Sequence, residues 1–387
     1  MKKRRIAVVS GSRADYGLLY WIIKGIKEGK GLDLKLIVTG SHLIKRYGET
    51  VKEIEKDGFP IAARIRISKG SDSPVSIAKS IGRAVEGFAA AYERLKPDII
   101  LVLGDRFEIL AAVSAALPFR IPIAHIHGGE STEGLIDEAI RHSVTKMSHL
   151  HFTSARQYAE RVAKMGEDPA NIFCFGAPGL DNIRNLNLSG REELLKDLGL
   201  PHGMKIGVVT YHPVTLEKGT AGQQTRELLA AISRITGVFW VFTLPNIDTE
   251  ASAITGRVIL FSKKNPQRAK VFVSLGRLRY LSLLKMADVM VGNSSSGLIE
   301  APSFSLPVVN IGDRQRGRAR GRNVIDVTFC ERKAIERAIR KALSASFRKS
   351  LEGMKNPYGN GKASRKIVNK LKTVVLDDKL LKRRFHG

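Results

Sequence analysis

Short runs of apolar, β-branched residues alternate with longer segments in which apolar residues recur at helical spacing. In the first half of the chain these runs are nearly continuous, which favours strands covered on both faces of a parallel sheet. The predicted strands there are Arg5–Val9, Leu34–Val38, Ile99–Leu103, Ile121–Ile126 and His149–Phe152. The predicted helices are Leu18–Lys27, Ser76–Leu95, Phe107–Leu117, Glu138–Met147 and Tyr158–Met165.

The alternation stops at Gly176–Gly190, which is rich in Gly, Pro and Asn, and then starts again. The second series of predicted strands is Ile206–Thr210, Val238–Thr243, Val271–Ser274, Val289–Val291 and Val308–Ile311. The helices predicted with them are Thr225–Ile235, Tyr280–Met286, Ala334–Leu343 and Ser364–Val375.

This pattern predicts an α/β protein with two Rossmann-like domains and a central cleft. The first domain is expected over residues 1–180 and the second over 181–361, with the C-terminal helix in 362–387 packing on the first. Ligands of such sheets bind beyond the carboxyl ends of the strands, so the residues that follow each strand are the ones to inspect.

Composition narrows the class of protein further. Apolar residues make up 43% of the 387 residues, which excludes wholesale disorder. Lys and Arg exceed Asp and Glu by 64 to 37, a net charge of +27 that favours anionic partners without choosing among them. Two distant cysteines, Cys174 and Cys330, form neither a disulfide framework nor a metal cluster. The apolar runs are too short for a signal peptide or a membrane span, so we expect a cytoplasmic protein without membrane contact.

Small and charged residues follow the first predicted strand, in Gly11–Gly17. This segment lacks the GxGxxG pattern of dinucleotide-binding turns. Its backbone N–H groups at the start of a helix can still bind phosphate, with Arg13 adding positive charge. An ordinary β–α turn is the alternative interpretation.

An acid and a base, Asp105 and Arg106, end the very apolar strand Ile99–Leu103. A position at the carboxyl end of a strand places both beside the expected cleft. The alternative is that Asp105 only caps the following helix while Arg106 is solvated.

Four further candidates lie in and after the next predicted strand, as far as the start of the helix that follows it. His125 and His127 lie two apart and share one face of a strand, but no third ligand is evident, so we expect a polar active-site wall and no metal. Asp137 opens a helix, where an acid is also typical of an ordinary first turn. If Asp105, Glu130 and Asp137 converge, at least one pKa rises and the group supplies both an acid and a base.

The second half offers residues suited to binding an anion. His212 stands at a predicted strand end, although a lone histidine is more often structural. Gly292–Gly297 (GNSSSG) joins small residues, hydroxyls and a helix start, which predicts a phosphate cradle; a well-capped helix is the alternative. Gly312–Arg322 carries five arginines and reads as a diphosphate clamp, a nucleic-acid patch or a solvated basic loop.

In this order, the motifs resemble the UDP-N-acetylglucosamine 2-epimerase family, above all its hydrolysing branch in sialic-acid-type and legionaminic-acid-type sugar synthesis. The resemblance runs through nearly the whole chain. Its motifs are SRADYG (Ser12–Gly17), TGSHL (Thr39–Leu43), GDRFE (Gly104–Glu108), HIHGGE (His125–Glu130), DEAIRH (Asp137–His142), YHPVT (Tyr211–Thr215), LPNID (Leu244–Asp248), GNSSSG (Gly292–Gly297) and VVNIGDRQRGR (Val308–Arg318).

The resemblance implies the glycosyltransferase B type of fold, with a nucleotide sugar between two domains. It places the diphosphate on Ser294 and Ser295 and the ribose hydroxyls on Glu300. Arg13 and Arg314 match positions near the phosphates. The sequence favours a homodimer only through this resemblance, and no cofactor and no fused sugar kinase domain are expected.

The implied reaction converts UDP-N-acetylglucosamine, or a GDP or diacetamido analogue, and water to an N-acetylmannosamine-type sugar and the nucleoside diphosphate. A base removes the proton of sugar carbon 2 while the diphosphate leaves, and the resulting glycal is then hydrated and reprotonated. The candidate acids and bases are Asp105, Glu130 and Asp137, and His212 is expected to assist the leaving group.

Three more residues, Arg106, His127 and Asn293, are predicted to bind substrate. Family members that epimerise without hydrolysis typically carry Glu at the position of His127, and here Glu130 is a substitute carboxylate. A non-hydrolysing epimerase and a glycosyltransferase of the same fold stay open as alternatives. A nucleic-acid-binding role rests on the net charge alone, and no nucleic-acid motif supports it.

Overall fold

The computed structural model describes residues 3–45, 48–67, 73–131, 136–213, 220–244, 251–382 and 384–386. The chain forms two compact units. The first comprises Met1–Ser131, Leu135–Arg184 and Tyr358–Gly387, and the second comprises Thr132–Gly134 and Asn185–Pro357. The chain therefore enters the second unit at residue 185 and returns to the first at residue 358.

A seven-stranded parallel sheet forms the centre of the first unit, in the order β3-β2-β1-β4-β5-β6-β7. Its strands are β1 (Arg4–Ser10), β2 (Leu32–Thr39), β3 (Ile61–Ile65), β4 (Ile99–Leu103), β5 (Ile123–Ile126), β6 (Leu150–Thr153) and β7 (Ile172–Cys174). Strand β5 begins two residues later than predicted because Pro122 has no N–H to donate to the ladder. The order reverses between β1 and β4, which is where ligands bind in sheets of this kind.

Helices cover both faces of this sheet. They are α1 (Arg13–Glu28), α2 (Val51–Lys56), α3 (Pro74–Leu95), α4 (Phe107–Ala116), α5 (Ile136–Met147), α6 (Arg156–Lys164) and α7 (Asp181–Asn185), and from the returning chain α15 (Ala363–Thr373) and α16 (Asp378–Leu381). Alternate β1 residues point into different cores: Val8 packs with Ile22 of α1, and Val9 packs with Phe88 of α3. Ile367 and Leu371 of α15 are fully buried in the core that contains Val8.

The second unit repeats the plan with a six-stranded parallel sheet in the order β10-β9-β8-β11-β12-β13. Its strands are β8 (Lys205–Thr210), β9 (Val238–Thr243), β10 (Ala269–Phe272), β11 (Val289–Gly292), β12 (Val308–Ile311) and β13 (Val324–Val327). Its helices are α8 (Arg191–Leu198), α9 (Ala221–Ser233), α10 (Ala251–Lys264), α11 (Gly276–Met286), α12 (Ser296–Ile299), α13 (Arg332–Leu343) and α14 (Ala345–Ser350).

The two parallel sheets with their covering helices confirm the predicted α/β class with two Rossmann-like domains. The sequence did not predict the edge strands β3, β7 and β13, the helices α2, α8 and α10, or the short helices α7, α14 and α16. Within the described part of the chain, no helix combines the length and the apolar character that crossing a membrane requires.

Candidate active site

The carboxyl end of β4 brings Asp105 and Arg106 to the edge of the first sheet, next to the end of β5. Gly104 has a φ of 78°, and its N–H donates to the carbonyl of Ile126 at 3.0 Å. Arg106 occupies the position before α4 without a side-chain capping bond, and the carboxylate of Asp105 instead binds Arg141 of α5. The alternative in which Asp105 caps the helix is therefore wrong.

Arg141 connects the acidic residues of this edge. Its side chain is only 3% exposed. The guanidinium donates to the carboxylate of Asp105, to Oε2 of Glu138 at 2.7 Å and to the carbonyl oxygen of Glu130 at 2.9 Å. A buried arginine requires such partners, because an unpaired charge in the interior is costly. Arg141 thus joins the loop after β4, the loop after β5 and helix α5.

Asp137, in the first turn of α5, lies close enough to this group to be affected by its charges. Burial is the main reason that its pKa is raised, and the negative charge of Asp105 raises it further. Positive charge on Arg106 and Arg141 acts in the opposite direction. Asp137 is therefore a stronger base when ionised, and holds its proton to higher pH, than an ordinary aspartate.

Glu130 directs its carboxylate at different partners from those of the two aspartates. Its Oε1 lies 2.5 Å from Nδ1 of His127 and accepts the hydroxyl of Ser154 at 2.6 Å. Of the three carboxylates expected to converge, Asp105 is close enough for its charge to raise the pKa of Asp137, whereas the carboxylate of Glu130 has other partners. The main-chain carbonyl of Glu130 accepts a hydrogen bond from Arg141, as the carboxylate of Asp105 does. The carboxylate of Glu130 instead hydrogen-bonds to the imidazole of His127.

The neighbouring histidine, His125, is a structural residue. Its Nε2 lies 2.8 Å from the carbonyl oxygen of Gly104, and its Nδ1 lies 3.2 Å from the hydroxyl of Thr145. Burial lowers its pKa to about 3, so the ring is neutral at physiological pH. Within the described ranges, no group of three or more His, Cys, Asp or Glu side chains has an arrangement that could hold a metal ion.

Two acids that the sequence analysis did not select lie beside Arg106. Glu108 is fully buried, and its Oε1 accepts Nε of Arg106 at 2.6 Å. Asp15 of α1 is also buried, which raises its pKa to about 6; the Arg106 charge opposes this shift and the Glu108 charge adds to it. A signal for Glu108 existed in the sequence: a glutamate two residues after a strand-end Asp-Arg pair, followed by apolar residues.

Arg13, the first residue of α1, has a guanidinium that is 56% exposed and lies 3.0 Å from a carboxylate oxygen of Glu53 in α2. None of its contacts described within the first unit involves Asp105, Glu130 or Asp137. The structure therefore places Arg13 at the carboxyl end of β1 but pairs it with a different acid.

The corresponding edge of the second sheet is organised by Asn293, which follows β11. Its side-chain amide hydrogen-bonds to both backbone groups of His212. Oδ1 accepts the N–H of His212 at 2.7 Å, and Nδ2 donates to the carbonyl of His212 at 2.8 Å. Asn293 is 1% exposed, and both ends of its amide are used in this way. It positions the end of β8 rather than presenting its amide to solvent.

His212 and Arg314 both hydrogen-bond to Asn293. The guanidinium of Arg314 donates to the carbonyl of Asn293 at 3.2 Å, and the amide of Gln315 donates to the same oxygen at 2.9 Å. Burial is the main cause that lowers the pKa of His212 to about 4, and the Arg314 charge lowers it further. A neutral histidine thus stands beside a cation.

The serine-rich loop differs from the predicted cradle in one respect. Helix α12 has four residues, Ser296–Ile299, and passes into a 3-10 turn after Glu300, so a helix dipole contributes little. Ser294 accepts the N–H of Ser296 at 3.3 Å. At Gly292, φ is 139° and a Cβ would lie 2.0 Å from the carbonyl oxygen of Thr210, so only glycine fits where β11 meets β8.

Tyr280 of α11 is a second-unit residue that the sequence did not indicate. Burial raises the pKa of its phenol to about 12, and the neighbouring hydroxyls of Ser296, Thr210 and Ser294 act in the opposite direction. Its phenol thus lies beside Ser294 of the serine-rich loop. No pattern in the sequence separated Tyr280 from the apolar face of its helix.

Comparison with known proteins adds an independent observation. Residues 24–372 match the family model described as UDP-N-acetylglucosamine 2-epimerase. The chain is 40% identical over 378 residues to the GDP/UDP-N,N'-diacetylbacillosamine 2-epimerase (hydrolyzing) of Campylobacter jejuni, covering 97% of each chain. It is 39% identical to the UDP-N,N'-diacetylbacillosamine 2-epimerase (hydrolyzing) of Legionella pneumophila, covering 98% of each.

Solved structures match the fold. The crystal structure of UDP-GlcNAc 2-epimerase from Neisseria meningitidis bound to UDP-GlcNAc superposes with a TM-score of 0.81. The match covers 95% of this chain and 99% of that one, at 18% sequence identity. Parts of two motifs quoted above, residues 214–215 of YHPVT and 245–248 of LPNID, lie outside the described residues.

Proposed function

Because the chain belongs to the UDP-N-acetylglucosamine 2-epimerase family, we propose that it is a hydrolysing nucleotide-sugar 2-epimerase. One structural observation supports this proposal most: a carboxyl of raised pKa, Asp137, lies with Asp105 around the buried Arg141 at the carboxyl edge of the first sheet. Proton abstraction from carbon needs such a desolvated acid–base group.

The chemistry has two stages. In the first, a base takes the proton of sugar carbon 2, the C–H electron pair forms the C1–C2 double bond, and the nucleoside diphosphate leaves with the electrons of the C1–O bond. In the second, water adds to carbon 1 and an acid returns a proton to carbon 2 from the opposite face. Asp105 and Asp137 are the proposed acid–base pair of the first unit, and Glu130 takes part through the His127 imidazole that its carboxylate binds.

The second unit is proposed to hold the nucleotide. Ser294 and Ser295 offer hydroxyls and Arg314 a cation for the diphosphate, and Glu300 accepts the ribose hydroxyls. His212, neutral because its pKa is about 4, is a hydrogen-bond donor to the leaving diphosphate rather than a charged acid.

The four other residues predicted to bind substrate already have partners within the protein. Arg106 is held by Glu108, and Arg13 is paired with Glu53, so each must exchange or share a partner to bind a phosphate. Asn293 acts by positioning His212. His127 is bonded through Nδ1 to Glu130.

The sugar is proposed to be a 2,4-diacetamido sugar of the bacillosamine type, on either UDP or GDP. The names of the relatives with about two-fifths identity over the full chain support this choice. UDP-N-acetylglucosamine, after which the family model is named, is the second candidate substrate.

Product analysis by NMR tests the proposal. The protein is incubated separately with UDP- and GDP-linked N-acetylglucosamine and diacetylbacillosamine. A hydrolysing epimerase yields a free manno-configured sugar and a nucleoside diphosphate. A nucleotide-linked epimer would favour the non-hydrolysing reaction, and consumption of sugar only when an acceptor is present would favour a glycosyltransferase.

The proposed assembly is a homodimer. Light scattering of the purified protein tests this, with a mass of twice 42.6 kDa expected. A mass of one chain at micromolar concentration would contradict it.

A further inference from the structure

We propose that His127 is the catalytic base that takes the proton from sugar carbon 2, and that Glu130 is its positioning residue. The inference rests on the proposed function for the identity of the reaction. It reassigns the two residues: the sequence predicted Glu130 as the acid or base and His127 as a substrate contact. The reassignment follows from which atom of each side chain is already bonded.

The bond between the two side chains determines the tautomer of the ring. Nδ1 of His127 lies 2.5 Å from Oε1 of Glu130. An ionised carboxylate only accepts hydrogen bonds, so the proton sits on Nδ1 and the lone pair on Nε2. The hydroxyl of Ser154 donates to the same Oε1 at 2.6 Å and holds the carboxylate in place.

Nε2 of His127 is buried and has no hydrogen-bond partner within the described part of the chain. The buried histidines His42 and His125 differ, because both of their ring nitrogens are bonded. In His42 the partners are the hydroxyls of Ser10 and Thr50, at 2.9 and 2.8 Å. A buried polar atom without a partner costs free energy, and a substrate bound beside Nε2 would supply the missing partner.

The backbone places His127 at the carboxyl edge of the sheet, beside the residues that follow β4. His127 follows β5 directly, and its N–H donates to the carbonyl of Phe152 at the adjacent strand end at 3.1 Å. Its φ of 67° lies in the left-handed region, which a histidine adopts only at a cost. On the other side of β5, Gly104 is tied to Ile126, so His127 and Asp105 project from neighbouring strand ends.

Glu130 itself is a poorer base in this geometry. Its Oε1 already receives two hydrogen bonds, and bonds donated to the charged form weaken a carboxylate as a base. The same arrangement makes His127 a better base, because the carboxylate of Glu130 stabilises the imidazolium that forms when Nε2 gains a proton.

In the proposed first step, the proton, the electron pairs and the leaving group each have a defined destination. The lone pair of Nε2 takes the carbon-2 proton, the C–H electrons become the C1–C2 double bond, and the C1–O electrons leave with the nucleoside diphosphate. His127 ends as an imidazolium beside the Glu130 carboxylate and returns its proton to solvent before the next turnover. The proton that reaches carbon 2 in the second stage comes from a separate group, for which Asp137 with its raised pKa is suited.

The test uses wild-type protein, His127→Gln and the matched control His202→Gln. His202 is an exposed histidine of the second unit, paired with Glu192. The readouts are nucleoside diphosphate release and deuterium at carbon 2 of the product in heavy water. We expect kcat of His127→Gln to fall about 10²–10⁴-fold with KM changed less than about threefold, and the control to match wild type.

Glu130→Gln separates positioning from a structural role. The amide can donate to Nδ1, which moves the ring proton to Nε2 and removes the base while leaving the ring in place. We expect a loss of kcat comparable to that of His127→Gln with KM retained. Ser154→Ala, which removes one donor to the carboxylate, should lower kcat less than about tenfold.

A second variant protects the test against misfolding. Glycine suits the φ of 67° at this position, so His127→Gly should fold and leave room for a ring. Added imidazole is expected to restore at least about a tenth of the lost nucleoside diphosphate release, and His202→Gly should not respond. Retention of more than about a tenth of wild-type kcat in His127→Gln, or no rescue of folded His127→Gly, would overturn the assignment. Wild-type protein that releases no diphosphate and incorporates no deuterium would instead overturn the proposed function.

Discussion

The carboxyl edges of the two sheets have the same backbone plan and different chemistry. Both sheets reverse their strand order at the first strand of the unit, β1 or β8, and both place short loops after the strands on either side. In the first unit these loops carry charges that are already paired: Asp105 with Arg141, and Arg106 with Glu108. In the second they carry an amide, three serine hydroxyls and a neutral histidine beside Arg314.

The difference shows how one topology supports two tasks. The parallel sheet determines where side chains project, and the residue types there decide what they do. Burial and the negative charge of a neighbouring carboxylate raise the pKa of an acid and suit it to proton transfer, as at Asp137. Uncharged donors around one cation bind an anion without exchanging protons with it. Substitutions confined to one edge should therefore affect one task and spare the other.

Asp105→Asn and Asp137→Asn should each lower kcat about 10²–10⁴-fold, because they remove charges or protons from the reacting group. Binding of the nucleoside diphosphate, measured by calorimetry, should change less than about threefold, because the second unit holds it. With Asp137→Asn we expect the unsaturated glycal to accumulate, since elimination proceeds without the acid that completes the second stage. Wild-type turnover in either variant would remove that residue from the mechanism.

Arg141→Met should destabilise the first unit by about 3–5 kcal/mol, because it leaves Asp105 and Glu138 without their buried cation. Urea unfolding followed by tryptophan fluorescence measures this. The matched control is Arg156→Met, which breaks an exposed ion pair with Glu160 and should cost less than about 0.5 kcal/mol. Equal effects of the two substitutions would refute the role of Arg141 as the common stabilising partner of Asp105, Glu130 and Glu138.

Ser295→Ala combined with Arg314→Ala should weaken nucleoside diphosphate binding about 100-fold, which corresponds to about 2.7 kcal/mol. The stability of the first unit should not change. Calorimetry with UDP and with GDP measures the affinity and also shows which base is preferred. Unchanged affinity for both nucleotides would exclude the serine-rich loop and Arg314 as the diphosphate site.

Replacing Asp15 at the edge of the first sheet should change the pH dependence of the free energy of unfolding by about 1–2 kcal/mol. The pKa of Asp15 is about 6 in the folded chain and near 3.8 unfolded, so between these values the folded state binds more protons and acidification stabilises it. Asp15→Asn removes this effect. Relative to wild type, the variant should therefore gain stability as pH rises from 4 to about 6.5 and show no further change above that.

His42, His125 and His212 act in the opposite direction, because their lowered pKa values make the unfolded chain bind more protons below about pH 6.5. They are unchanged in Asp15→Asn, so the difference between the two proteins isolates the carboxyl. A difference that does not vary between pH 4 and 6.5 in urea unfolding would contradict the assignment.

Much of the architecture was readable from the sequence because buried parallel strands are continuous apolar runs. Val238–Thr243 and Val308–Ile311 coincide with β9 and β12. The missed edge strands have a different pattern: β3 (Ile61–Ile65) is half-exposed and contains Arg64, and β7 (Ile172–Cys174) has three residues. Lateral pairing, which the sequence does not display, defines such strands.

Positions at strand ends were predictable, and contacts between them were not. Asp105 and His212 follow predicted strands, so topology alone selected them. The bond of Glu130 to His127, and the use of Arg141 as a common partner, depend on rotamers and on the left-handed turn at His127. No periodicity in the sequence encodes these features, and they decide which residue is the base.

The central claim, that carbon–oxygen cleavage accompanies proton exchange at carbon 2, is tested by one turnover experiment. Wild-type protein converts its nucleotide sugar in heavy water enriched in oxygen-18, and mass spectrometry analyses both products. We expect one deuterium at carbon 2 and one heavy oxygen at carbon 1 of the free sugar, with no heavy oxygen in the nucleoside diphosphate. Heavy oxygen in the diphosphate and no deuterium in the sugar would contradict it.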